Sequence, residues 1–199
     1  NKNKKFFLIW IIVIIVLVII GALIYIFFFE KGIGEEKGTF YFGKVNSNYS
    51  MSLTNKDIIR PISFDSFSFS FWININDFYT NHSFWRHVFH KGTPISKQAL
   101  MNYSFWENLS IEIPIQAPGV WMHPDKNSLR VYMNTMKDYL DYLDIDNIPV
   151  KRWVCCVIIL NGQYLDVYIN GHLKKRKQLD GVPKQNFGDL WVNLYGGFD

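Results

Sequence analysis

The chain has 199 residues, 49% of them apolar, and a net charge of +4. Its basicity is local, with Lys2, Lys4 and Lys5 near the start and Lys174, Lys175, Arg176 and Lys177 near the end; a nucleic-acid binder spreads its cations over a face with interleaved aromatics, so no nucleic-acid partner is expected. The two cysteines, Cys155 and Cys156, are adjacent, which excludes a disulfide framework, and neither has the C-x-x-C or C-x-x-H companion that a zinc site needs.

After a basic flank (1–5), residues 6–29 (FFLIWIIVIIVLVIIGALIYIFFF) run for 24 positions without a charge, proline or amide. As a helix this stretch is about 36 Å long, more than the roughly 30 Å hydrocarbon core of a bilayer. It exceeds the apolar region of a signal peptide and lacks a small-x-small cleavage site, which predicts an uncleaved transmembrane helix with the lipid bilayer as its partner. Residues 30–38 (EKGIGEEKG) have linker composition, three glycines among charges.

Residues 39–199 read as one β domain. Strands are expected at 39–45, 67–75, 85–91, 119–123, 129–135, 153–160, 164–169 and 190–195. In FSFSFWINI, Phe67, Phe69 and Phe71 alternate with serines, the period of a half-buried strand. Asn161-Gly162 and Asn170-Gly171 each separate two strand runs, the strongest short-range signal for a tight hairpin, and together define a three-stranded meander. The predicted core is Phe67, Phe69, Phe71, Val157, Ile159, Val167 and Ile169. Residues 136–143 (MKDYLDYL) carry the only helical pattern after the linker, too short to organise a core. His87 and His90, three apart in a strand, are expected on opposite faces, which disfavours a shared metal.

FSFSFWINI, WRHVFHKG (85–92), PGVWMHPDKNSLRV (118–131) and DIDNIPVKRWVCCVIILNGQYLDVYINGHL (144–173), followed by DGVPK and LYGGFD, occur in an order and spacing that resemble the concanavalin A-like lectin/glucanase superfamily. The nearest resemblance is to the laminin-G-type jelly roll of virion proteins from large nucleocytoplasmic DNA viruses. It implies an all-β, two-sheet antiparallel jelly-roll sandwich behind one N-terminal transmembrane helix. It further implies a minor capsid component that links the viral inner membrane to the shell, with capsid proteins as partners and the virion, at the membrane/capsid interface, as location. The alternative is a membrane-tethered lectin; a glycoside hydrolase ranks last.

Glucanase relatives carry E-x-D-x-x-E, two carboxylates about 5 to 5.5 Å apart. Glu107 and Glu112 have the spacing of the two glutamates, but Leu109 stands where the Asp belongs, so no enzymatic activity and no catalytic residue are expected. Calcium is the usual cofactor of lectin and laminin-G relatives. Asp141, Asp144, Asp146 and Asn147 form the one acidic cluster and lack the glycine-turned loop of a dedicated site; no cofactor is expected, with calcium the one the resemblance leaves open. Trp121, beside His123 and Asp125, offers a sugar-stacking platform, with core packing as its competing role. Lys174–Lys177 reads as a protected edge strand or as a contact for lipid headgroups or a partner. Adjacent cysteines point to a reducing side where capsid assembles, so the sequons at Asn48, Asn81, Asn102 and Asn108 are expected to stay unmodified.

Overall fold

The computed structural model describes residues 10, 13–21, 46, 49–58, 66–79, 83–97 and 115–195. The chain divides into two compact units, 1–41 and 42–199. In the first, residues 13–21 are helical. Among the described residues no helix is long and apolar enough to cross a membrane; the predicted span 6–29 and the strand expected at 39–45 lie largely or wholly outside them.

The second unit is an all-β, two-sheet antiparallel sandwich. Among the described residues its strands are β1 Met51–Leu53, β2 Ser66–Asn74, β3 Arg86–Gly92, β4 Gln116–Met122, β5 Ser128–Tyr132, β6 Tyr142–Asp146, β7 Trp153–Asn161, β8 Tyr164–Ile169, β9 His172–Gln178 and β10 Asp189–Val192. A six-stranded sheet runs β1-β10-β3-β4-β5-β6 and a four-stranded sheet β2-β7-β8-β9.

Period-two alternation builds the layer between them. Phe67, Phe69 and Phe71 of β2 lie opposite Leu160, Ile158 and Cys156 of β7, all directed at the core formed with Val120, Val131 and Ile145 of the larger sheet. Phe89 of β3 joins the sheets through aromatic contacts, its ring centroid 5.7 Å from Phe69 and 5.1 Å from Phe71. Val167 is buried, while the three phenylalanines and Ile169 pack on the core half-buried.

Three expectations are corrected. Val157 and Ile159 face away from the core, because pairing with β2 turns Val154, Cys156, Ile158 and Leu160 inward; strand alternation then sends their neighbours outward. The helical pattern at 136–143 gives way to a turn and the start of β6, where Leu143 and Ile145 pair with Val131 and Leu129 of β5 and enter the core. The β7–β8 hairpin turns on Gly162 and Gln163, since Asn161 pairs with Tyr164. Gly162 has φ 58° and Gln163 a negative φ, as in a II′ turn. Asn170 and Gly171 between β8 and β9 both have positive φ, the I′ pattern.

Candidate functional site

Strands β3 and β4 are buried at every position, so the outer face of the six-stranded sheet is itself covered. A second cluster of Trp85, Ile95, Trp121, Tyr132 and Leu194 lies there, with Leu140 and Trp191 packed against it. Trp121 is 0% exposed, and its indole N–H donates to Gln116 Oε1 at 2.7 Å. Gly119 makes room for that contact, because a Cβ there would sit 2.1 Å from the same oxygen. Trp121 is therefore a packing residue with no face open to a sugar.

His87 and His90 lie on the same face, contrary to expectation, because β3 carries a bulge between His87 and Phe89. Val88 and Phe89 both turn toward the core, and both imidazoles turn outward. His87 Nε2 lies 2.7 Å from His90 Nδ1, and the outer partners fix the tautomers. The Leu194 amide can only donate, so it gives its hydrogen to His87 Nδ1 at 3.0 Å. The Thr93 carbonyl can only accept, so His90 Nε2 donates to it at 2.8 Å. His87 Nε2–H then donates to His90 Nδ1, and the chain closes with both rings neutral. Burial pushes both pKa values down, His87 well below the usual range and His90 to about 4.

At the β5–β6 end of this face stands an arginine platform. Arg130 pairs with both carboxylate oxygens of Asp144, Nε–Oδ1 at 2.6 Å and Nη2–Oδ2 at 2.7 Å. Its guanidinium carbon lies 3.7 Å from the Tyr142 ring centroid and 4.9 Å from that of Trp85. Burial alone would lower the Arg130 pKa, but the hydrogen bonds to Asp144 and Tyr132 and their charges together outweigh it and the net shift is upward. Tyr142 is 41% exposed, so the assembly presents an aromatic ring on a fixed cation–carboxylate pair, a surface suited to stacking and hydrogen bonding. The sequence reading missed it; the signal was Arg130 and Tyr132 alternating with Leu129 and Val131 along β5.

Of the other expected glycan contacts, His123 is nearly buried, its Nδ1 accepting the Asp125 amide hydrogen at 3.0 Å, and Asp125 is exposed on the turn. Burial, then Arg130 and Lys126, lower the His123 pKa. Arg86, fully buried and missed by the sequence reading, braces this corner by donating to the carbonyls of His123 at 2.6 Å and Phe78 at 3.0 Å.

The basic run is largely engaged within the domain. Lys177 pairs with the buried Asp141 across the two sheets, Arg176 makes a two-pronged pair with Asp166 at 2.6 Å, and Lys175 Nζ donates to the Asp144 carbonyl at 3.0 Å. The expected acidic cluster is divided in the same way, Asp141 facing Lys177 and Asp144 facing Arg130. Among the described residues no three His, Cys, Asp or Glu side chains group as a metal site would. Glu107, Glu112, Asn48, Asn81, Asn102 and Asn108 lie outside the described residues.

Residues 45–197 match the family described as the Concanavalin A-like lectin/glucanases superfamily, of laminin-G type, and the chain belongs to it. The comparison with curated proteins gives no significant match. Among solved structures the chain is similar to an HCR/D mutant, at 17% identity and TM-score 0.48 over 68% of this chain and 30% of that one. It is also similar to a carbohydrate esterase from Shiga toxin-encoding bacteriophage phi24B, at 10% identity and TM-score 0.38 over 67% and 62%. The alginate lyase AlyC3 aligns at 12% identity and TM-score 0.36 over 63% and 60%. The chain thus spans less than two thirds of each of these proteins, and at such identities the likenesses carry nothing about function.

Proposed function

We propose that this chain is a membrane-anchored, non-catalytic binding module: a structural minor capsid component of a large DNA virus, holding the inner membrane to the shell through its sandwich. The observation that carries the reading is the succession, in one chain, of a 24-residue uncharged apolar span, a nine-residue linker and a laminin-G-type domain. A span of that length suits a bilayer, and nine residues reach at most about 30 Å, so the domain acts close to the surface that anchors it. Its virion placement follows from the resemblance of the strand motifs. Cross-linking of intact particles followed by mass spectrometry tests this: surface lysines such as Lys126, Lys137 and Lys184 should link to shell proteins. Absence of the chain from purified particles, or of any link to a shell protein, would refute the capsid role.

The Arg130–Tyr142 platform supports a second reading, a tethered lectin. A glycan array probed with the chain separates the two, since a lectin gives a defined set of sugars that Tyr142→Ala abolishes.

A further inference from the structure

On the solvent face of the four-stranded sheet Ser66, Ser68 and Ser70 keep β2 polar, but Trp72 and the outer side of β7 are more apolar than strand alternation requires. Opposite the core-facing residues, β2 and β7 present Trp72, 63% exposed, Trp153, 46% exposed, and the half-buried Val157 and Ile159. Leu173 of β9 lies beside Tyr168, and Tyr164 stands at the far end of the face, opposite Asn161 and beyond the Asp166–Arg176 pair. A solvated sheet face normally carries polar side chains at these positions, and exposed aromatic side chains clustered on one mark a surface of contact.

We infer that this face is a headgroup-level membrane surface that favours anionic lipid. Tryptophan and tyrosine, which sit at the membrane–water interface with an apolar body and a polar tip, are, with Leu173, its large exposed apolar side chains. Charge points the same way. The strands of the four-stranded sheet hold Lys174, Lys175, Arg176 and Lys177 against the single carboxylate Asp166, although Lys175 and Lys177, paired with the core-facing Val167 and Leu165, reach toward Asp144 and Asp141 at the other sheet. In the six-stranded sheet Arg86, Lys91 and Arg130 are balanced by Asp144, Asp146 and Asp189. Asp166, the one acid on the patch, is held by Arg176, which keeps its pKa low through their hydrogen bond. With Arg176 and Lys177 paired and Lys175 turned to the Asp144 carbonyl, Lys174 is the cation of β9 left exposed without an ion pair among the described residues, and the exposed Lys151 and Arg152 immediately precede Trp153. A protein partner of the shell would gain from the apolar residues but has no stated need for a cationic rim; an anionic bilayer uses both. The inference rests on the anchored reading only for what keeps the domain beside the membrane.

The test uses the full chain mixed with liposomes of phosphatidylcholine alone or of phosphatidylcholine with phosphatidylserine, read by flotation and by hydroxyl-radical footprinting. Modification of Trp72, Trp153 and Tyr164 should fall on the anionic liposomes and recover at high salt, with Met136 and Tyr142 unchanged. Combining Arg152→Glu with Lys174→Glu should weaken the protection at least about tenfold. A chain that floats with both liposomes yet shows no lipid-dependent protection overturns the inference and leaves the anchor standing. A chain that floats with neither defeats both. Flotation with the anionic liposomes alone, with the three aromatics protected, supports the inference and defeats the anchor. Protection in intact particles but on no liposome assigns the face to a shell protein and overturns the inference.

Discussion

His87 and His90 share one hydrogen bond, Nε2 to Nδ1 at 2.7 Å, inside a chain that runs from the Leu194 amide to the Thr93 carbonyl. Every lone pair and hydrogen in that chain is matched only while both rings are neutral. A proton on His87 Nδ1 would face the Leu194 N–H, and one on His90 Nδ1 would face His87 Nε2–H. The indoles of Trp121 and Trp191 pack against the pair, and among the described residues no charged side chain offsets its burial.

Stability should therefore fall with acid. The unfolded chain takes up protons near 6.5, the ordinary histidine value, whereas folded His90 resists until about 4. The contribution is complete above about pH 6.5 and is lost as the pH falls toward 4; for His90 alone it amounts to about 3 kcal/mol. His87, pushed lower still, and His123 add in the same direction. Urea unfolding at pH 7.5 and 5 should show the loss, and replacing both His87 and His90 by Asn should flatten it. An unchanged midpoint in the parent chain would contradict the neutral relay.

Lys177 should matter more than its neighbours. Asp141 is buried and holds both Lys177 and the Asp180 amide. Lys177→Ala leaves that carboxylate without its cation, which should cost about 2 to 3 kcal/mol, less than a wholly buried pair because Lys177 is partly exposed. Lys174→Ala should cost less than about 0.5 kcal/mol. Adding Asp141→Asn to Lys177→Ala should recover part of the loss, which a thermal or urea titration of the three variants measures.

The register of β7 can be checked by neighbouring truncations. Ile158 is in the core and Ile159 is on the outer face. Ile158→Ala should cost about 2 to 5 kcal/mol, and Ile159→Ala about 1 kcal/mol or less. The reverse order would mean that the strand is paired one residue out of place.

The cysteines divide in the same way. Cys156 is buried and burial, with Cys155 beside it, pushes its thiol up to about 12, while Cys155 lies on the partly exposed face. Ellman's reagent at pH 8 should modify one thiol in the native chain and the second only on unfolding. Cys155→Ala should remove the fast phase and leave the slow one.

Where one face of a strand was polar, the sequence was readable. The serines of β2 declared its inner face, and Asn170-Gly171 declared its turn through positive φ. In β7 the run Val-Cys-Cys-Val-Ile-Ile-Leu is apolar on both faces, so its residues cannot say which face is buried; pairing with β2 decides. β6 was hidden because Tyr139, Leu140, Tyr142 and Leu143 carry helical spacing, which the ladder with β5 overrides. The bulge that unites His87 and His90 has no local signature, since Val88 and Phe89 suit a strand in any register. The Arg130 platform joins Trp85 to strands β5 and β6, and only the fold brings those three segments together.

On the reading proposed above, residues 6–29 hold the sandwich at a membrane. Alkaline carbonate extraction of membranes carrying the full chain, beside the chain lacking residues 6–29, tests it most directly. The full chain should stay in the membrane pellet, and the deletion should be released as a folded domain. Release of the full chain by carbonate would contradict it.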